Sequence, residues 1–159
     1  VSTAQTLSAN SYTDRDIDAS YDASEAIMVD LSTVSGDYTI TSEGVYVFSG
    51  TLSNGSILVN AGENDKVQIV LSNASITNSD GPAIYAVTAD KVFITAEAGT
   101  VNELSDGTVY AADSFGNSPD ATIFSKCDLT INGTGKLNVT GSYKFGIVGK
   151  TTSLLSTLR

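Results

Sequence analysis

Four aspartates, Asp106, Asp113, Asp120 and Asp128, fall in or beside one turn-rich stretch, "ELSDGTVYAADSFGNSPD". Carboxylates set close together in a turn-forming segment are hard oxygen donors, and with backbone carbonyls they can supply the roughly six to eight oxygens that Ca2+ takes. A long excursion between strands is also more often functional than a short turn. The plainer alternative is that these are solvated turn acids, since the Asp-Gly pair of "LSDG" is an ordinary turn. Other chemistries are removed by the inventory. The chain has no histidine and one cysteine, Cys127, which excludes Cys/His zinc clusters, Ser-His-Asp triads and Cys-His dyads. Cys127 lies between Lys126 and Asp128 with no base to activate it and reads as inert, with a free surface thiol as the residual alternative. The net charge of −10 would repel nucleic acid and anionic membrane surfaces, and it makes cations the natural counter-partners.

The elements that must carry these residues are short. From Gly36 onward, runs such as "KVQIVL", "KVFITA", "DLTING" and "KLNVTG" alternate apolar and polar residues, are rich in Val, Ile, Thr and aromatics, and end at Gly, Asn or Asp. No segment of helical period competes with them. The unit "DKV" recurs: Asp65, Asp90 and Asp128 each precede an apolar pair two apart, Val67 and Ile69, Val92 and Ile94, Leu129 and Ile131. The intervals are 25 and 38 residues, and the longer one contains the acidic stretch, whose removal restores the spacing. A second register keeps step: Ile57-Leu58, Ile84-Tyr85, Ile123-Phe124 and Ile147-Val148. Two registers at a period of about 20 to 25 residues, with strands and no helices, predict an all-β parallel solenoid in which each repeat is a coil. The acid and Lys of each unit should turn outward, and the Val and Ile inward.

The 159 residues are enough for one domain. Residues 1–16 read as a polar linker, 17–150 as the solenoid and 151–159 as an atypical tail. The segment "YTITSEGVYVFSG", rich in hairpin signals, is expected to cap the upper end, and an open lower edge would favour self-association through strand pairing. No run of about 18 apolar residues is present to span a membrane. The pairs Asn54-Gly-Ser, Asn73-Ala-Ser, Asn132-Gly-Thr and Asn138-Val-Thr match the glycosylation pattern, but Asn at coil corners is better explained by its tolerance of left-handed geometry.

With the coils laid out, the strings "GVYVFSGTLSNGSILVNAGENDKVQIVLSNASITNSDGPAIY", "NELSDGTVY", "ATIFSKCDLTINGTGKLNVTG" and "YKFGIV" resemble a bacterial carbohydrate-binding β-helix family, best represented by clostridial cell-surface proteins. The resemblance covers about 140 residues in order and includes rare strings such as "SDGPAI" and "TINGTG". It implies a right-handed parallel β-helix similar in architecture to pectate lyases, binding cellulose and acidic pectin-type polysaccharide, carrying calcium, and lacking lytic activity. Two departures stand out. The family's two-acid "SKDDL" corner is here "SKCDL", so Cys127 replaces an acid, and the acid-rich insertion is thinned to "DSFGNSPDAT". The tail "GKTTSLLSTLR" departs too: codons for Asp-Asp-Leu read one base late can give Thr-Thr-Ser, so a truncated, out-of-frame end is expected.

Sugar binding calls for flat apolar faces with hydrogen-bonding edges, which Tyr supplies. Tyr85, Tyr110, Phe115 and Tyr143 are the nominated aromatics, each with a core or stacking role as its alternative. Lys126 and Lys144 are the nominated cations for an acidic polysaccharide, with simple solubility as theirs. A Ca2+ bridge would hold a polyuronate on an acidic protein better than either, because the ion reverses the local sign. The expected function is thus non-catalytic polysaccharide binding at a bacterial surface or in the extracellular space. Its rivals are a calcium-dependent lyase, in which Lys126, Lys144 or Lys150 would abstract the proton next to a uronate carboxyl, and a purely structural spacer or adhesin.

Overall fold

A computed structural model describes residues 12–154. Among the described residues the fold is all-β apart from one helical turn and one 3-10 turn, and every strand pairing is parallel. One ladder is ordered β1 (Ile27–Asp30), β3 (Gly44–Leu52), β5 (Lys66–Asn78), β7 (Lys91–Ala96), β10 (Asp128–Asn132) and β13 (Thr152–Leu154). A second is ordered β12 (Phe145–Val148), β9 (Ala121–Ser125), β6 (Ile84–Thr88), β4 (Ile57–Asn60) and β2 (Tyr38–Ile40). The C-terminal half of the long β5 starts a third ladder, continued by β8 (Val101–Asp106) and β11 (Lys136–Thr140).

Both sequence registers are the ladder registers. Val67 pairs with Val92 and Val92 with Leu129; Ile69 pairs with Ile94 and Ile94 with Ile131. In the second ladder Ile57 pairs with Ile84, Ile84 with Ile123 and Ile123 with Ile147. All ten of these side chains are essentially hidden from solvent and belong to one core that runs along the stack. A β-branched side chain packs well on a pleated surface, so identical residues at one height of successive strands fill the interior layer by layer. At the exposed corner Lys66 pairs with Asp90 at 2.6 Å, as the outward-turning acid and Lys predict.

Three expectations are corrected. "YTITSEGVYVFSG" is not an antiparallel hairpin: β2 and β3 go to different ladders and pair in parallel with β4 and β5, because the bend at Ser42 and Glu43, leading into Gly44 at positive φ, carries the chain round a corner. Residues 1–16 are not all linker. Residues 1–11 lie outside the described residues, but Asp14–Ile17 forms a helical turn, α1, capped reciprocally by Thr13 and Asp16. The body also does not stop at residue 150, since Thr152–Leu154 adds a strand beside Leu129–Ile131. Residues 155–159 of the atypical tail lie outside the described residues. Cys127, read as inert, is buried, and burial pushes its thiol pKa up, so the surface-thiol alternative falls.

Of the four glycosylation-pattern asparagines, only Asn73 takes the left-handed conformation, with φ of 57°. Asn132 is buried in a hydrogen-bond ladder, where neither a corner nor a glycan is available.

Candidate functional site

The excursion that interrupts the repeat spans 107–120, between β8 and β9, and contains no strand. It folds back over the second ladder. Its departure point is Gly107, where an added Cβ would lie 1.8 Å from the carbonyl oxygen of Ser79; only a residue without a side chain lets the two backbones pass so closely. Between the excursion and the ladder lies a cleft of about 150 Å3, with Tyr85 and Pro82 on the ladder side and Tyr110, Asp113 and Phe115 on the excursion side.

Two of the nominated acids tether the excursion. Asp106 is 7% exposed; its Oδ2 accepts from the Tyr110 hydroxyl at 2.7 Å and its Oδ1 from the backbone N–H of Ser142 at 2.6 Å. Asp113 Oδ2 accepts from the Tyr85 hydroxyl at 3.0 Å and from the Asn117 N–H at 2.6 Å. Asn117, which sequence reasoning did not single out, also donates its side-chain amide to the Tyr85 oxygen at 2.8 Å. Burial, opposed by the Asn117 donation and reinforced by the Asp113 carboxylate, raises the Tyr85 pKa to about 12. Tyr110 is raised as well, first by burial and then by Asp106 and the charge of Asp120. Both phenols therefore stay protonated and act as donors.

The aromatic residues divide by exposure. Tyr85 is only 4% exposed; its ring meets Phe115 and Phe124 edge to face, at 5.8 and 5.7 Å, and so forms a floor and not a platform. Tyr110 stacks on Tyr143 with ring centroids 4.4 Å apart, and the Lys144 ammonium stands 5.2 Å from the Tyr143 centroid. Tyr143 is 38% and Phe115 40% exposed, which leaves one apolar face on each side of the tethered loop open to solvent. A half-exposed aromatic face with a hydroxyl and an ammonium at its margin can take the flat C–H face of a sugar ring and bond its hydroxyls.

The fold thus gathers Tyr85, Tyr110, Phe115, Tyr143 and Lys144 with Asp106 and Asp113, and with Asp120 close enough for its charge to act on Tyr110. Two nominated residues stand apart. Lys126 lines a separate open cleft with Phe124 and Lys150. Asp128 begins β10 in the first ladder, opposite Lys91. Among the described residues no three Cys, Asp or Glu side chains come together as a metal cluster. One acid atom is nevertheless unusual: Asp120 Oδ1 is buried and has no hydrogen-bond partner. An orphaned buried carboxylate oxygen is costly unless a donor or cation meets it. No helix among the described residues is long and apolar enough to cross a membrane.

Comparison with known proteins finds similar chains in sequence and in structure. A protein from Acetivibrio thermocellus described as a carbohydrate-binding domain-containing protein is 39% identical over 118 residues, 74% of this chain and 41% of that protein. Among solved structures, the polysaccharide lyase-like protein from C. thermocellum, as a gadolinium derivative, superposes with a TM-score of 0.76 at 32% identity, covering 84% of this chain and 60% of that one. The chain therefore spans less than two thirds of the length of either. The model of the family described as carbohydrate-binding domain-containing protein matches residues 35–156, and the chain belongs to that family.

Proposed function

We propose that the protein is a non-catalytic binder of plant cell-wall polysaccharide, cellulose, polygalacturonate or both, acting with calcium at a bacterial cell surface. In this reading its parallel ladders are the faces of one right-handed parallel β-helix. The observation that carries the binding function is the tethered aromatic loop: Tyr110 stacked on Tyr143, Lys144 beside it, and Phe115 on the same excursion. The helical architecture is supported by strands that are all parallel and alternate between ladders along the chain, and by the likeness to a polysaccharide lyase-like structure.

Calcium is supported by the orphaned Asp120 Oδ1, an atom whose burial a hard cation would offset, with carbonyl and water oxygens completing the shell. The similar solved structure was obtained as a gadolinium derivative, and gadolinium, like calcium, prefers oxygen donors. An ion at this point would also reverse the sign of an acidic surface and admit a polyuronate. The test is retention on cellulose and on polygalacturonate, each with added calcium and with chelator. Retention without product release supports the proposal; no retention on either under both conditions overturns it.

A lyase is the second reading, favoured by the words "polysaccharide lyase-like" attached to the similar structure. It would need a basic side chain beside the bound uronate, and Lys144 is the lysine nearest the aromatic loop. Ultraviolet absorbance from unsaturated product on incubation with polygalacturonate would establish it in place of the non-catalytic reading.

A further inference from the structure

The outward face of the first ladder is covered by the chain's own N-terminal segment. Val67, Ile69, Val92, Ile94, Leu129 and Ile131 point into the core, so their neighbours Gln68, Phe93, Thr95, Thr130 and Asn132 point out. Gln68, Phe93 and Thr130 lie in one row across β5, β7 and β10, and Thr95 and Asn132 in the next. Outward residues of this kind should be wet, yet all five are at most 4% exposed. Thr13 to Ala19 lies across them like a strap.

What the strap presents to the sheet is specific. The Asp16 carboxylate, itself fully buried, meets the Lys91 ammonium at 2.6 Å and the Thr130 hydroxyl at 2.5 Å. The carbonyl oxygens of Asp16 and Ala19 accept from the side-chain amides of Asn132 at 3.1 Å and Gln68 at 3.4 Å. The flat guanidinium of Arg15 lies over the Phe93 ring at 4.6 Å. On the sheet side the partners of the strap are thus an ammonium, a hydroxyl and two amides, all donating, around one aromatic face. A uronide offers the same set of complements: a carboxylate, neutral oxygens and a flat ring face.

From this match we infer that the sheet face around Lys91, Phe93, Thr130 and Asn132 is a second saccharide site, for oligouronides, and that the N-terminal strap masks it with Asp16 standing where a uronate carboxylate would bind. Two features make the strap displaceable. It is held chiefly by polar contacts and one buried ion pair, whose attraction is partly offset by the desolvation of its two charges. Its packing is also incomplete: an open cleft of about 520 Å3 runs alongside, between Arg15 and four carboxylates of the N-terminal segment, Asp14, Asp18, Asp22 and Glu25, and Gln68 of the sheet. Those carboxylates repel an approaching uronide, so one carboxylate is exchanged for another at Lys91 only after the strap, with its acids, has lifted. Apparent affinity is then the intrinsic affinity reduced by the fraction of molecules with the strap open.

This rests on reading the protein as a polysaccharide binder, but it concerns a different surface from the aromatic loop. The experiment is titration calorimetry of the full chain with trigalacturonate and with a cello-oligosaccharide. Asp16→Asn, which weakens the strap at nearly constant shape, is expected to bind trigalacturonate about tenfold more tightly than the unaltered chain, with no change for the neutral sugar. Arg15→Ala, at a more exposed position, should move it the same way by less. Adding Thr130→Val to Asp16→Asn should remove the gain. In hydrogen exchange on Asp16→Asn, trigalacturonate should deprotect the backbone amides of residues 16 and 18, which bond Thr13 and Asp14 in the docked strap. Equal uronide affinity of Asp16→Asn and the unaltered chain, or amides that stay protected when the uronide is bound, overturns the inference. If the unaltered chain still binds polysaccharide through Tyr143 in that case, the proposed function stands without it; if no glycan binds to any form, both fall.

Discussion

Tyr110 and Tyr143 lie with their rings 4.4 Å apart and 23° from parallel, joining the excursion after β8 to the corner after β11. Tyr110 is fixed from behind by Asp106, so Tyr143 is the outer, exposed member of the stack. Truncating it removes a platform and little else. Tyr143→Ala is expected to lower polysaccharide affinity about tenfold while costing roughly 0.5–1.5 kcal/mol of stability, the worth of one aromatic pair. Retention on insoluble glycan measured beside a melting curve checks both halves.

The core makes the opposite prediction. Ile94 is fully hidden between Ile69 and Ile131 in the inward row, so Ile94→Ala leaves a cavity that the stacked strands on either side cannot easily close. A loss of about 2–5 kcal/mol follows. At roughly 2–4 °C per kcal/mol for a chain of this size, Tm should fall by about 5–20 °C. Calorimetry reads this directly, and a shift under about 2 °C would contradict the inward assignment.

These two residues also mark what was legible in the sequence. The Val67, Val92, Leu129 register could be read from spacing because parallel in-register stacking repeats one side chain at one height, so burial writes itself into the chain as a period. The excursion was legible as the break in that period, and with it Tyr110, Phe115 and the tethering acids. What spacing cannot show is which acid is a tether and which an orphan: Asp106 and Asp113 differ from Asp120 only in who donates to them. The strap was missed because its partners, Lys91, Thr130 and Asn132, are distant in sequence and look like ordinary outward strand residues. One local signal was there. "TDRD" has the spacing of a capping box, with Asp16 in place of the usual Glu.

Asp16 should leave a signature in the pH dependence of stability. Burial alone would raise its pKa, but the hydrogen bonds from Lys91, Thr13 and Thr130 outweigh it and bring the value down to about 2. A carboxyl depressed in the folded state contributes stability that is fully present above its unfolded pKa, near 3.8, and is lost as pH falls through about 2. The contribution is on the order of 2 kcal/mol. Urea midpoints taken from pH 6 to pH 2 should therefore converge for the unaltered chain and Asp16→Asn at the acid end and separate above about pH 4. Parallel curves throughout would mean that the ion pair to Lys91 contributes no net stability.

Gly107 tests whether the excursion must leave the body where it does. With an added Cβ only 1.8 Å from the Ser79 carbonyl oxygen, Gly107→Ala forces one of two backbones to move. The ladders themselves need not be disturbed, because residue 107 follows the last residue of β8. Loss of polysaccharide retention with a Tm drop smaller than that of Ile94→Ala is the expected combination. Unchanged retention would show that the loop's placement does not matter to binding.

Asp120 separates a structural acid from an ion ligand by a change of sign. Its Oδ1 is buried with no donor, so in chelator the charged carboxylate is a burden, and Asp120→Asn should be neutral or slightly stabilising. If calcium fills that gap, the same substitution removes a ligand, and the stability that calcium confers should be largely lost. At a calcium concentration about a hundredfold above Kd that stability is about 2.7 kcal/mol. Melting curves of the two proteins should then cross: the variant equal or higher in chelator, the unaltered chain higher by about 5–10 °C in calcium. A variant that is lower in both conditions would identify Asp120 as an acid with a protein or water partner, and would remove the support that its orphaned oxygen lends to calcium at this loop.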